Sequence, residues 1–423
     1  MKEKWYLSKW VQNIVLMLVA ATFSAICMVM FYRQLTPMYD QFRYITDLPA
    51  HVKALRSGGI ASYSLLFYVF DLFYKLPAGS GFAVASLLTG FSLGCVGLTK
   101  RLLRDLYPEG YRFSHWVLAW CANFIMAIFI PNVTNRYLGT FSPTVWHNST
   151  YIGMRFFSLI AVIAYFQIDK NYLKKIDWKY WLIFLVSLTL SMAIKPSFVF
   201  CFTPVMALFL LKDWKNNNWK GFKNIFLFGA TVLPSIILGV MQLGILSGSG
   251  HGIHIAPFRV LWHFTTEVTK TKELNNPLWV FFIEVLKIPD INSPFTSLAM
   301  SLLYPFLSFV FLGKYLWKFK DVRMMLYAFL FAALQAILIL EGGEDGIGAF
   351  DGNYTWGALV MNFFLFAVIS NRVYQWVKEN LFGKLTGNKG KLAIAIILGI
   401  VFLLHVYSGL RYFKIMAWGG RFV

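Results

Sequence analysis

A chain of 423 residues with 58% apolar and 14% charged side chains is not an ordinary water-soluble domain, where about a quarter of residues are charged. Intrinsic disorder is excluded on the same grounds, and 18% aromatic residues suit lipid-facing surfaces and interfacial belts. The net charge of +20 would suggest nucleic acid in a soluble protein, but here the basic residues sit between apolar runs; they encode topology, and no nucleic-acid partner is expected.

The expected fold class is all-α: a polytopic integral membrane protein with about eleven transmembrane helices, since about 20 apolar residues cross a bilayer core of about 30 Å. The N-terminus carries Lys2, Lys4 and Lys9 before an apolar run from Val11 to Tyr32, too long for a signal peptide and without a cleavage site, so it reads as a retained first span over 11–32. An interfacial helix on the outer surface is expected at 63–76, where Asp71 and Lys75 interrupt a short apolar run. Further spans are expected at 81–99, 113–131, 151–168, 180–194, 198–211 and 224–246 in a first module, residues 1–246, with its first outer loop at 33–80. A variable second module, 247–423, adds spans at 296–313, 324–341, 356–371 and 391–410. The connections at 100–112, 169–179, 212–223, 314–323 and 372–391 are short and hold most of the 39 Lys and Arg together with the N-terminus. That bias puts the N-terminus in the cytoplasm and the C-terminus, Arg421-Phe422-Val423, outside.

The four cysteines, Cys27, Cys95, Cys121 and Cys201, lie in or beside apolar runs with no metal-ligand spacing and read as small core residues. Acidic residues favour the outer side, as do six of the seven histidines: His51, His147, His251, His254, His263 and His405, leaving His115 at an inner end. Titratable chemistry is therefore expected on the outer face.

Four outer segments carry candidate residues. In the first loop, Asp47 caps a short helix expected over 48–56, with Pro49 in its first turn and His51 near the carboxylate; Asp40 lies upstream. A capped surface helix is the plain alternative. Next, His147 and Asn148 open the fourth span, and Arg155 lies inside it, where a guanidinium either pairs with an anion such as phosphate or reaches for headgroups. Third, Lys195-Pro196 breaks two short apolar runs and could cradle a phosphate, unless it is an ordinary hairpin. Last, the acidic, glycine-rich stretch from Glu341 through Asp351 leads to Asn353 and Trp356, suited to sugar hydroxyls and to stacking on a pyranose face, or simply solvated. Its oxygens could hold a divalent cation, though the spacing matches no calcium loop; no other cofactor is called for.

This order of parts over 1–246 resembles the GT-C superfamily of integral-membrane glycosyltransferases, which includes protein O-mannosyltransferases, oligosaccharyltransferases and lipid A aminoarabinose transferases. The likeness lies in one span, an acidic outer loop with Asp40 and Asp47, an interfacial apolar helix, a span ending in the basic stretch 100–104, a polar junction at His147 and Asn148, and Lys195-Pro196 where several members carry Lys-Gly. The resemblance implies a polyprenyl-phosphate-linked sugar donor and inverting transfer to a glycan, lipid or protein acceptor on the outer face. A first-loop aspartate would be the general base, and Arg155 and Lys195 would hold donor phosphate. Many members carry adjacent acids in that loop, whereas here two aspartates stand seven apart, so the choice between Asp40 and Asp47 is open. A transporter or flippase of lipid-linked saccharides, or a polymerase of such units, is the alternative; acids in outer loops and the lack of an internal repeat favour the transferase. The basic, cysteine-poor, Phe-rich composition suggests a bacterial plasma membrane.

Overall fold

The computed structural model describes residues 8–35, 55–57, 63–75, 79–130, 141–248, 252–255, 294–342, 353–381 and 389–418. Asp40, Asp47, His51 and Asp351 lie outside them, as do most of the expected helix at 48–56 and of the loop holding His251 and His263. Regular structure in the described residues is helical apart from one short ladder, as a polytopic membrane protein requires.

Helix α1 (Lys9–Gln34) starts at Ser8, whose Oγ accepts from Val11 N at 3.3 Å and so meets one of the donors every helix start leaves unpaired. Helices α2 (Leu65–Tyr74), α3 (Ser80–Leu106), α4 (Arg112–Ala122) and α5 (Ser149–Asp169) follow. Then come α6 (Trp178–Ile194), α7 (Ser197–Asn216), and α8 (Phe222–Gly229), which runs through a 3₁₀ turn into α9 (Leu233–Gly248). The second half holds β1 (Gly252–Ile255), α10 (Pro294–Leu316), α11 (Lys320–Leu338), β2 (Ile339–Gly342), α12 (Asn353–Leu381) and α13 (Lys389–Trp418). Strands β1 and β2 pair antiparallel, Ile253 opposite Glu341, joining the chain after α9 to the chain after α11. Helices α5 and α12 are the most enclosed and form the centre of the bundle, whereas α1, α9 with α8, and α10 turn most of their surface outward, as lipid-facing helices do.

Against eleven expected spans, nine helices among the described residues are long and apolar enough to cross a bilayer. Helix α6 falls just short, with 17 residues, about 26 Å at 1.5 Å per residue. The larger departure is the expected span 113–131, which is helical only to Ala122. There the Asn123 amide turns back to Ala119 O at 2.9 Å and to Thr99 Oγ1 at 3.3 Å; after turn bonds from Phe124 N to Cys121 O and Ile125 N to Ala122 O, the chain continues from 126 to 130 without helical bonds. Neighbouring elements take over its backbone: Met126 N donates to His405 O at 3.2 Å, Phe129 N to Ser408 Oγ at 2.8 Å, Ile128 N to Met300 O at 3.1 Å and Ala127 N to Ser142 Oγ at 3.4 Å. Irregular backbone at membrane depth is tolerable only when protein satisfies it in this way. Gly409 is required at the contact, because a Cβ there would overlap the Phe124 carbonyl. His405, expected near the outer face, is corrected to mid-helix: α13 runs eight residues past the apolar window to Trp418, and the buried ring bonds Met126 O at 2.6 Å and accepts from Tyr304 N at 3.4 Å.

The segments expected to share the inner side do meet at one end of the bundle. Lys320 bridges Asp169 at 2.7 Å and Asp213 at 2.6 Å, and the Tyr172 hydroxyl donates to Asp213 at 3.0 Å. Arg372 Nε and Nη2 donate to Asp321 Oδ2 at 3.0 and 2.9 Å, while the Gln167 amide reaches Asp105 at 2.8 Å. At the opposite end, Ser64 Oγ donates to Ile194 O at 2.7 Å and Gln242 Nε2 to Tyr63 O at 2.8 Å, stapling the start of α2 to α6 and α9. Helix α2 buries Leu66, Phe67 and Phe70 on one face. Its Asp71 carries Arg56 at 2.8 Å and Lys75 at 3.3 Å; partial burial opposes ionisation, but these hydrogen bonds prevail and hold the carboxyl below its ordinary range.

Candidate functional site

At the end opposite the basic loops, Asn148 caps α5: its Oδ1 accepts from Tyr151 N and from Thr150 Oγ1, both at 2.8 Å. The cap fixes the chain before the helix, so Trp146 and His147 point at α13, where the Tyr412 hydroxyl accepts from Trp146 N at 3.3 Å and bonds His147 Nδ1 at 2.7 Å. Burial pushes the half-buried His147 down to about 4, so its ring is neutral near pH 7.

Trp356, in the first turns of α12, joins the separate candidates. Its ring lies 6.1 Å from that of His147 and 5.5 Å from that of Tyr151, and Lys195 Nζ sits 5.0 Å from its centre. Lys195 ends α6 with its N–H on Ser191 O at 2.9 Å, in extended backbone that forces the break before Pro196 opens α7; its side chain is buried. One helical turn below Tyr151 and two turns below Trp356 along α12, the Arg155 guanidinium lies between Tyr151, Trp146 and Phe363 at 5.9, 5.7 and 5.2 Å. Spacings of four on α5 and seven on α12 put these groups on facing stripes.

Arg155 is the anomaly of the molecule. It is fully buried, and none of its three guanidinium nitrogens meets a hydrogen-bond partner of ordinary geometry among the described residues. Among the described residues the groups that feel its charge are the Cys95 and Cys27 thiols and the Tyr151 hydroxyl, none of them an acid. The rings attract it through their faces but leave the charge uncompensated. A buried charge normally pairs, so this arrangement is poised for an incoming anion.

The structure thus brings Arg155, Lys195, His147, Asn148 and Trp356 to one end of the bundle. Glu341 is there only as backbone of β2, and Asn353 only as the first residue of α12. Tyr412, Tyr151 and Phe363 complete the cluster without a sequence signal: they are aromatics in apolar helices, indistinguishable there from lipid-facing ones. Among the described residues no group of three His, Cys, Asp or Glu could hold a metal ion. Cys27, Cys95 and Cys201 are buried free thiols and Cys121 is half-buried and free. No family model, characterised protein or solved structure matches the chain, so the GT-C resemblance rests on the order of parts.

Proposed function

We propose that the protein is a GT-C-like membrane glycosyltransferase with eleven crossings, α4 with the irregular stretch to residue 130 and the short α6 completing the nine long helices. The N-terminus lies in the cytoplasm of a bacterial cell and the aromatic end faces outward. The donor is a polyprenyl-phosphate-linked sugar and the acceptor a hydroxyl of a glycan, lipid or protein. The acceptor oxygen attacks the anomeric carbon from the face opposite the phosphate; the new C–O bond forms as the bond to the phosphate oxygen breaks, inverting the centre. Asp47, or Asp40 in its place, takes the acceptor's proton, with His51 beside it, and Arg155 and Lys195 take the charge left on the polyprenyl phosphate. Trp356 stacks on the sugar, and neutral His147 with Asn148 and the loop from Glu341 to Asp351 and Asn353 meets its hydroxyls.

The observation that supports this reading is Arg155, a buried cation that meets no anion among the described residues, in one cluster with a buried lysine and a half-buried tryptophan. Its place in the second turn of α5, about 9 Å from the helix start, suits a phosphate in the outer leaflet. The same guanidinium, being inside a helix rather than a loop, also favours a second reading, a flippase for the same lipid. The test is sugar transfer and lipid translocation by the purified chain in proteoliposomes. Asp47→Asn, in which Asn caps a helix about as well as Asp, should lose about two to four orders of magnitude in transfer. Arg155→Lys, which keeps charge but loses the planar fork, and Lys195→Ala should both weaken binding of a polyprenyl-phosphate analogue. Activity lost in Asp40→Asn instead moves the base to Asp40; full transfer in both aspartate variants, or translocation without transfer, overturns the transferase.

A further inference from the structure

The basic end contains a cavity of about 310 Å³ between α3, α5, the start of α11 and α12. One wall is hydrocarbon, from Leu102 and Leu106 of α3 and Ile163 and Phe166 of α5. The other is charged, and its acids are already bound: Asp105 by Arg104 and Gln167, Asp169 by Lys320, and Asp321 by Arg372. Two lining cations meet no acid among the described residues. Lys170 reaches only the neutral Gln167 side chain, at 3.0 Å, and Lys318 has no carboxylate partner among the described residues. Both are exposed.

We propose that this cavity holds the phosphodiester headgroup of an anionic membrane lipid. Lys170 and Lys318 take the phosphate oxygens, and the four apolar side chains meet the glycerol and first acyl carbons. A free inorganic anion gains nothing from the hydrocarbon wall, and a zwitterionic lipid gains little from two uncompensated ammonium groups; only an anionic amphiphile uses both. Basic pockets at helix ends on the positive side of a membrane protein are suited to such headgroups. The site is remote from Arg155 and stands whether or not the protein transfers sugar.

The test titrates the full chain, in neutral detergent, with short-chain phosphatidylglycerol and counts bound copies by native mass spectrometry, with phosphatidylcholine and inorganic phosphate as separate arms. Each lysine near a lipid surface contributes about fivefold, so Lys170→Gln with Lys318→Gln should weaken phosphatidylglycerol binding about 30-fold. Lys174→Gln with Lys175→Gln, exposed lysines of the same end outside the cavity, should change it less than about twofold. Leu106→Trp fills the apolar wall with both lysines intact and should also displace the lipid. Equal losses in the two lysine pairs, binding that survives Leu106→Trp, or competition by millimolar phosphate would each overturn the proposal.

Discussion

Two buried arginines at opposite ends of one bundle are treated in opposite ways. Arg372 lies against Phe319, its guanidinium carbon 4.0 Å from the ring centre, and gives two hydrogen bonds to Asp321. Arg155 lies among three aromatic rings and has no acid among the described residues. The rings are common to both sites, so they are not what decides whether the charge is satisfied; the carboxylate is. The Asp321–Arg372 pair satisfies its own charge and ties α11 to α12, whereas Arg155 at the aromatic end meets no acid among the described residues.

The strongest way to break this contrast is at Asp321. Removing one partner of a buried ion pair strands the other charge, so Asp321→Ala should cost about 3–5 kcal/mol, measured by thermal or chemical denaturation in detergent. A cost near zero would mean that Arg372 is as tolerant of isolation as Arg155, and the contrast would collapse. Next comes His147. Its folded pKa of about 4 lies below the ordinary 6.5, so its contribution to stability is complete above about 6.5 and is lost as pH falls toward 4, by at most about 3 kcal/mol. His147→Asn should flatten the stability profile between pH 7 and pH 4.5; an unchanged profile would show the ring to be protonatable in place. Gly409→Ala should cost about 1–3 kcal/mol through overlap with the Phe124 carbonyl, and, because Tyr412 lies one turn further on, should also loosen the hold on His147, read as a smaller pH effect. Smallest is Arg155→Met, which fills similar space without a charge and should leave stability unchanged or raise it by about 1 kcal/mol. A loss of 2 kcal/mol or more, on the scale of a broken pair, would reveal a hidden acid for Arg155.

The bundle was legible because hydropathy is a local property: α1, α5 and α13 all cover their apolar windows, and the short basic segments do gather at one end through pairs such as Lys320 with Asp169. Arg155 and Lys195 stood out for the same reason, as charges in apolar surroundings. What the sequence concealed were relations between distant residues. Nothing near Asp321 announces Arg372, 51 positions away, and nothing near His147 announces Tyr412, 265 positions away. The early end of α4 was hidden too, since residues 123–130 are as apolar as a helix and take their backbone partners from carbonyls of α10 and α13 and from the Ser408 and Ser142 hydroxyls.

That unwound stretch ties the first half of the chain to its last described helix. Helix α4 and residues 123–130 leave the ribosome long before Ser408 and the His405 carbonyl, which they need for their backbone bonds. Until α13 arrives, polar peptide groups face lipid or a neighbouring insertion factor, where each unmet group costs several kcal/mol. Assembly of the first half is therefore completed by α13, and a ribosome stalled before residue 389 leaves a chain in which the stretch after α4 still lacks its partners.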